Sequence, residues 1–168
     1  MIIAYIILTI VFAIFISVIY FKFKDNNIEK MSFKESLDLA DLPIITFYNN
    51  NKKINLLLDT GANLSIINKE ALSQYTHTDV QGRGTTSGID GVPREVSFTS
   101  LNLYYGDKKF EEEFQILDMQ DAVNNVKTTT GVTMMGILGN NFFKKYRYVL
   151  DFDKLVAYSK DGRYNKTK

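Results

Sequence analysis

The chain contains no cysteine, no tryptophan, two prolines and one histidine among its 168 residues. Without cysteine it can form neither a disulfide nor a thiolate metal site, and it has no cysteine nucleophile. The single histidine, His77, argues against a histidine metal cluster or a histidine-based charge relay within one chain. An excess of one charge sign is also missing: 20 basic and 19 acidic side chains leave a formal charge of +1. That balance supplies no net field to attract nucleic acid, so no nucleic-acid partner is expected. The length allows one ordinary domain, or a smaller domain with an appendage. A two-lobed enzyme of several hundred residues is excluded.

What is present is unevenly distributed. The apolar fraction is 45% and the mean hydropathy −0.11, yet one end is almost wholly apolar. Residues 2–21 read IIAYIILTIVFAIFISVIYF and carry no charge. As a helix this run covers about 30 Å, the hydrocarbon thickness of a bilayer. Its many β-branched residues would favour a strand in water, but in lipid the backbone must bond internally, which selects a helix. Tyr5 and Tyr20 stand near the ends, where amphipathic rings favour the interface. No basic segment precedes the run and no small-x-small site follows it, which argues against a cleaved signal peptide. The sequence therefore predicts a single-pass anchor over residues 1–22, meeting the bilayer through residues 2–21. Lys22, Lys24, Lys30 and Lys34 follow it, so the positive-inside rule favours a cytoplasmic location for the rest.

Residues 23–41 are polar and read as a juxtamembrane linker, with an amphipathic turn in FKESLDLADL. From residue 42 to 160 the pattern becomes short apolar runs separated by turn residues, and residues 161–168 read as a polar tail. Three hairpins are predicted. PIITFYN and KINLLLD flank an asparagine turn, VSFTSLNLYY and KKFEEEFQIL flank Gly106-Asp107, and YVLDF and LVAYS flank Asp153-Lys154. Helical patterns are confined to residues 69–74 and 140–145. The fold class is mainly β with one or two short helices, preceded by one transmembrane helix.

The most informative string is INLLLDTGANLSII, residues 54–67. An apolar strand runs directly into Asp59, then Thr60, Gly61 and Ala62, and a second apolar strand follows. Burying a carboxylate at the end of a strand is costly, so an acid there calls for a reason. Gly61 permits a tight turn and close backbone approach. Turn chemistry alone would explain a bare Asp-Thr-Gly. The flanks say more: LLLDTGANLSII resembles the active-site motif of retroviral-type (retropepsin-like) aspartic proteases. A second mark, MMGILGNNFF at residues 134–143, resembles that family's apolar-apolar-Gly segment leading into its short helix. YVLDFD at 148–153 resembles the strand that follows in bacterial members. Between the marks lies GRGTTSGIDGV, glycine-rich where the family carries its flap.

The resemblance implies a closed β-barrel-like retropepsin lobe and an aspartic endopeptidase without metal or other cofactor. Asp59 is the implied catalytic residue, supported by Thr60, Gly61 and Ala62 and by the apolar-Gly residues Ile137, Leu138 and Gly139. Gly88, Ile89, Asp90 and Gly91 are the implied flap over a peptide or protein substrate. Such chemistry needs two carboxylates around one water, whereas the chain holds one Asp-Thr-Gly and no Asp-Ser-Gly. A symmetric homodimer, with one Asp59 from each copy, follows from that count. The alternative from another class is a membrane-tethered, non-catalytic β module that binds peptides or a partner protein. His77 reads as a partly exposed strand residue, Asp151-x-Asp153 as a hairpin turn, and Glu111, Glu112 and Glu113 as a solvated strand edge. Ala62 offers no hydroxyl to stabilise the ionised form of Asp59, as a serine there could. Activity is therefore expected to persist toward neutral pH. A pH–rate profile that vanishes above about pH 5, the ordinary carboxyl range, would contradict this.

Overall fold

The computed structural model describes residues 9–19, 29–87 and 91–160. Residues 9–19 form a helix (α1) that buries none of its side chains, with Ile10, Phe12, Phe15 and Val18 all more than half exposed. Among the described residues no helix is long and apolar enough to cross a membrane. The expected anchor spans residues 1–22, whose two ends lie outside the described residues.

The remaining elements run β1 (Lys30–Ser32), α2 (Lys34–Ala40), β2 (Ile44–Asn49), β3 (Lys52–Leu58), β4 (Ser65–Asn68), α3 (Lys69–Leu72), β5 (His77–Ser87) and β6 (Pro93–Tyr105). They continue with β7 (Lys108–Leu117), α4 (Gln120–Thr130), β8 (Gly136–Leu138), α5 (Asn140–Tyr146), β9 (Tyr148–Asp151) and β10 (Val156–Ser159). The molecule is mainly β with a few helices, as the sequence implies. All three hairpins form. In the first, β2 and β3 pair from Ile44↔Leu57 to Asn49↔Lys52. Asn50 and Asn51 make its turn with φ of 44° and 65°, the left-handed pair that a two-residue hairpin needs and asparagine tolerates.

Seven strands form one sheet in the order β2-β3-β8-β4-β7-β6-β5. Two of its pairings are parallel, β3 with β8 and β4 with β7, so it is more than a chain of hairpins. The sheet curls until β2 meets β6, but they pair at Tyr48↔Tyr104 alone, and the expected closed barrel is only partly realised. The reason is local: β2 turns back at Asn50, one residue after its buried Asn49. The Asn49 side chain completes the seam instead. Its amide donates to the carbonyls of Thr76 at 2.9 Å and Asn102 at 3.0 Å and accepts from the Thr76 N–H at 2.8 Å.

Inside the curl, alternate side chains of facing strands make the core. Phe47, Phe110, Phe142, Tyr146 and Tyr148 pack mostly edge-to-face or tilted, with Phe110–Tyr146 and Phe142–Tyr146 centroids both 5.0 Å apart. Such contacts add about 1 kcal/mol each to the large area these rings remove from water.

The sequence reading of residues 23–41 as linker needs correction from residue 30 onward. β1 pairs with β10 from Lys30↔Tyr158 to Ser32↔Val156, and β10 pairs with β9, making a second, three-stranded sheet. Met31 and Phe33 alternate with exposed neighbours and are fully buried in the core. A charged context with only two inward residues disguised a three-residue strand. Helix α4 was also unanticipated, because only Val123 is buried on it and its last turn is a run of threonines. Gly131 ends it at φ 77°. Replacing Phe33 by alanine should cost about 3–5 kcal/mol in denaturant unfolding, the toll for a large buried ring. A linker residue would show no effect.

Candidate active site

The acidic loop begins where two parallel strands end. β3 and β8 run in register from Leu56↔Gly136 to Leu58↔Leu138, and the Asp59 N–H donates to the Leu138 carbonyl at 3.0 Å, one step beyond. Asp59 is half-buried. Its Oδ1 accepts the Gly61 N–H at 2.8 Å, folding residues 59–61 into an Asx turn that leaves Thr60 and Gly61 exposed. A side chain at Gly61 would bring its Cβ to 3.1 Å from that Oδ1, crowding the carboxylate.

The start of α5 holds the loop from behind. The Asn140 N–H donates to the Ala62 carbonyl at 2.8 Å and the Asn141 N–H to the Asn63 carbonyl at 3.2 Å. The Asn140 side-chain amide donates to the Thr60 carbonyl at 2.7 Å. The first amides of a helix have no partner within the helix, and here two of them are used on the loop. This requires close approach at Gly139, where a Cβ would lie 2.5 Å from the Leu64 carbonyl oxygen and 2.9 Å from that of Ala62. Gly139 is itself fully extended, so closeness and not backbone freedom demands glycine. Asp59, Thr60, Gly61 and Ala62 thus lie beside Ile137, Leu138 and Gly139.

The flap residues fare differently. β5 and β6 form a long hairpin there, paired from His77↔Leu101 to Ser87↔Pro93 with an irregularity between Val80 and Arg83. Gly88, Ile89 and Asp90 lie outside the described residues, and Gly91 adopts φ 70° in open space. Among the described residues no group of three or more His, Cys, Asp or Glu side chains could hold a metal ion. His77 Nδ1 donates to the Tyr75 carbonyl, 2.8 Å away, on an exposed strand. Asp151 accepts from both the backbone and the ammonium of Lys154, which holds its carboxyl below the usual range, and serves the β9–β10 turn.

One member of the site escaped the sequence reading. β7 is no edge strand: it lies between β4 and β6. Glu111 and Glu113 are exposed, but Glu112 shares the inner face with Phe110 and Phe114 and is 1% exposed. The alternation of that strand was the signal. Glu112 Oε1 accepts the Ser65 hydroxyl at 2.8 Å and the Asn141 amide at 2.6 Å, and the Ser65 oxygen accepts the Gly139 N–H at 3.1 Å. Oε2 has no hydrogen-bond partner among the described residues and faces the Lys145 ammonium at 3.8 Å. Burial pushes this carboxyl up to about 7, against the opposing pull of the Ser65 hydrogen bond and the Lys145 charge.

Residues 40–151, more than half of the chain, match the profile of the family described as Retroviral aspartyl protease. Among solved structures, the retroviral protease-like domain of Ddi1 from Leishmania major is 18% identical with a TM-score of 0.50, over 71% of this chain and 89% of that one. EIAV protease in complex with the inhibitor HBY-793 is 20% identical with a TM-score of 0.47, over 64% of this chain and 90% of that one. No curated protein matches the sequence.

The raised Glu112 carboxyl has a defined effect on stability. Between the ordinary value of 4.5 and about 7 the folded chain keeps the proton that the unfolded chain releases. Its contribution is therefore fully present below 4.5, falls as pH rises through about 7, and is level above. Thermal melts should show the wild type losing stability relative to Glu112→Gln across that window. Parallel pH curves for the two proteins would contradict it.

Proposed function

Because the chain belongs to the retroviral aspartyl protease family, we propose that it is an aspartic endopeptidase in which Asp59 from each of two copies forms the catalytic pair. The observation that carries this reading is the half-buried Asp59 on a loop braced by five backbone and side-chain hydrogen bonds, from Asp59, Gly61, Asn140 and Asn141 donors. A loop so fixed offers a carboxylate without reorganisation at the moment of reaction. In the dimer, one ionised Asp59 takes a proton from water as the oxygen attacks the peptide carbonyl. The protonated partner donates to the carbonyl oxygen. Collapse of the tetrahedral diol then breaks the C–N bond, with a proton passing to the leaving amine.

The exposed Thr60, Gly61 and Leu64 are the surface through which the second copy would meet the loop. The three-stranded sheet supports a symmetric arrangement too, since β1 and β9 are its edge strands among the described residues. The substrate is an extended peptide or protein segment, and the β5–β6 hairpin is the element that would cover it. The exposed apolar face of α1 and the uncharged run around it support a membrane anchor, which would also raise the local concentration of copies. The lysines after that run favour the cytoplasmic side.

The full chain in detergent micelles is compared with Asp59→Asn on a mixed fluorogenic peptide library, with oligomeric state measured in parallel. Wild type should cleave, and Asp59→Asn should lose about three orders of magnitude or more in kcat/KM. Excess Asp59→Asn chain should also poison the wild type by forming mixed dimers. Equal cleavage by both proteins would refute the assignment. A dimeric wild type that binds peptides without cleaving them would favour the non-catalytic module.

A further inference from the structure

Glu112 is the only buried acidic side chain among the described residues, and all its hydrogen bonding is done by one oxygen. If the position required only an acceptor, a neutral amide or hydroxyl would serve without the cost of burying a carboxyl. What glutamate adds is the capacity to ionise in that place. The place is specific. Ser65 and Asn141 connect Oε1 to the Gly139 N–H and to the first turn of α5, whose Asn140 and Asn141 amides carry the carbonyls of Ala62 and Asn63. Glu112 thus stands behind the segment that braces the Asp59 loop, and touches neither Asp59 nor the exposed surface.

We infer that Glu112 is a positioning residue for the reaction proposed above, holding the 138–141 segment through Ser65 and Asn141 with a grip that tightens when it ionises. The Ser65 hydroxyl supplies the switching element. Its oxygen lies 2.8 Å from Glu112 Oε1 and 3.0 Å from Asn141 Oδ1, yet its one proton can serve a single acceptor well. An ionised carboxylate is the stronger acceptor and fixes that proton on Glu112. The same charge strengthens the bond from the Asn141 amide, whose backbone N–H holds Asn63. With a neutral Glu112 the proton is shared between two acceptors and the grip is looser.

The charged groups facing Glu112 are few. From α5 it meets Lys145, whose ammonium also donates to the Glu111 carbonyl, and from its own strand the exposed Glu113. β4 presents neutral Ser65, and β6 presents Leu101 directly opposite. Burial outweighs the attraction of Lys145, so the ionisation falls near neutral pH, where a modest change in acidity alters the support of the loop.

The inference rests on the protease reading, and its test separates the two. kcat and KM are measured from about pH 5.5 to 8.5 for the full wild-type chain and Glu112→Gln, on a peptide that the wild type cleaves and Asp59→Asn does not. The ratio of wild-type to variant kcat should rise about threefold or more with a midpoint near pH 7, while the ratio of KM values stays level. In parallel, NMR hydrogen exchange of the Gly139 and Asn141 amides, corrected for intrinsic base catalysis, should slow across the same range in wild type only. A pH-independent kcat ratio, or an effect confined to KM, overturns the inference and leaves the protease reading intact. If Glu112→Gln fails to fold, the wild-type exchange titration decides: protection unchanged across neutrality overturns the inference. If Asp59→Asn cleaves every peptide as the wild type does, the protease reading fails and this role for Glu112 falls with it.

Discussion

The acidic loop of this molecule depends on four consecutive residues, Leu138 to Asn141, and on what their backbone is bonded to. Leu138 receives the Asp59 N–H, and the amides of Asn140 and Asn141 take two of the acidic loop's carbonyls. Much of the loop's backbone is therefore already hydrogen-bonded within the fold, which holds the Asp59 carboxylate in one place. This arrangement depends in turn on the parallel pairing of β3 with β8, which delivers the end of one strand beside the start of one helix. Two glycines make the approach feasible. At Gly136 an added Cβ would sit 2.3 Å from the Ile66 carbonyl oxygen, and at Gly139 the backbone of Leu64 is nearly as close. The site is thus a junction of backbones, with side chains filling what remains.

The polar interior extends that principle at a cost. Asn49, Ser65, Asn68, Thr99 and Glu112 are all buried where an all-apolar core would be simpler. Most of them replace a missing backbone bond: Asn49 seals the seam between β2 and β6, and Asn68 caps the approach to α4 through the Met119 N–H. Each substitutes a side chain where strand geometry runs out. Glu112 differs, because half of its hydrogen-bonding capacity is left idle. The aromatic cluster around Phe142 supplies the opposing stabilisation, and it belongs to the same helix whose first turn holds the acidic loop.

Much of this was legible in the sequence, and the boundary has physical causes. Two of the three hairpins were visible because their turns use residues suited to positive φ, at Asn50, Asn51 and Gly106. The Asp59 loop and its Gly139 partner were visible because close backbone contact restricts composition so severely. β1 was not, since a three-residue strand carries too little alternation, and its partner β10 lies at the other end of the chain. Nor was α4, whose mostly exposed surface imposes almost no apolar period. Glu112 was misread because three consecutive glutamates resemble a solvated edge. Its alternation with the buried Phe110 and Phe114 is what puts the middle one on the inner face. Incomplete closure of the barrel was likewise hidden, because the length of β2 alone does not tell where β6 will meet it.

The small sheet of β1, β10 and β9 has a mechanical consequence. Lys30 lies opposite Tyr158, so both ends of the domain leave from the same edge of the fold. A pulling force applied between those ends would not shear three residue pairs at once. It would peel them one after another, starting at Lys30↔Tyr158, in the way a zip opens. Because Met31 and Phe33 follow directly behind, traction on the amino-terminal side would draw large apolar side chains out of the core after only a few residues had yielded. Tension applied between Lys30 and Tyr158 therefore reaches the core after only a few residue pairs have opened.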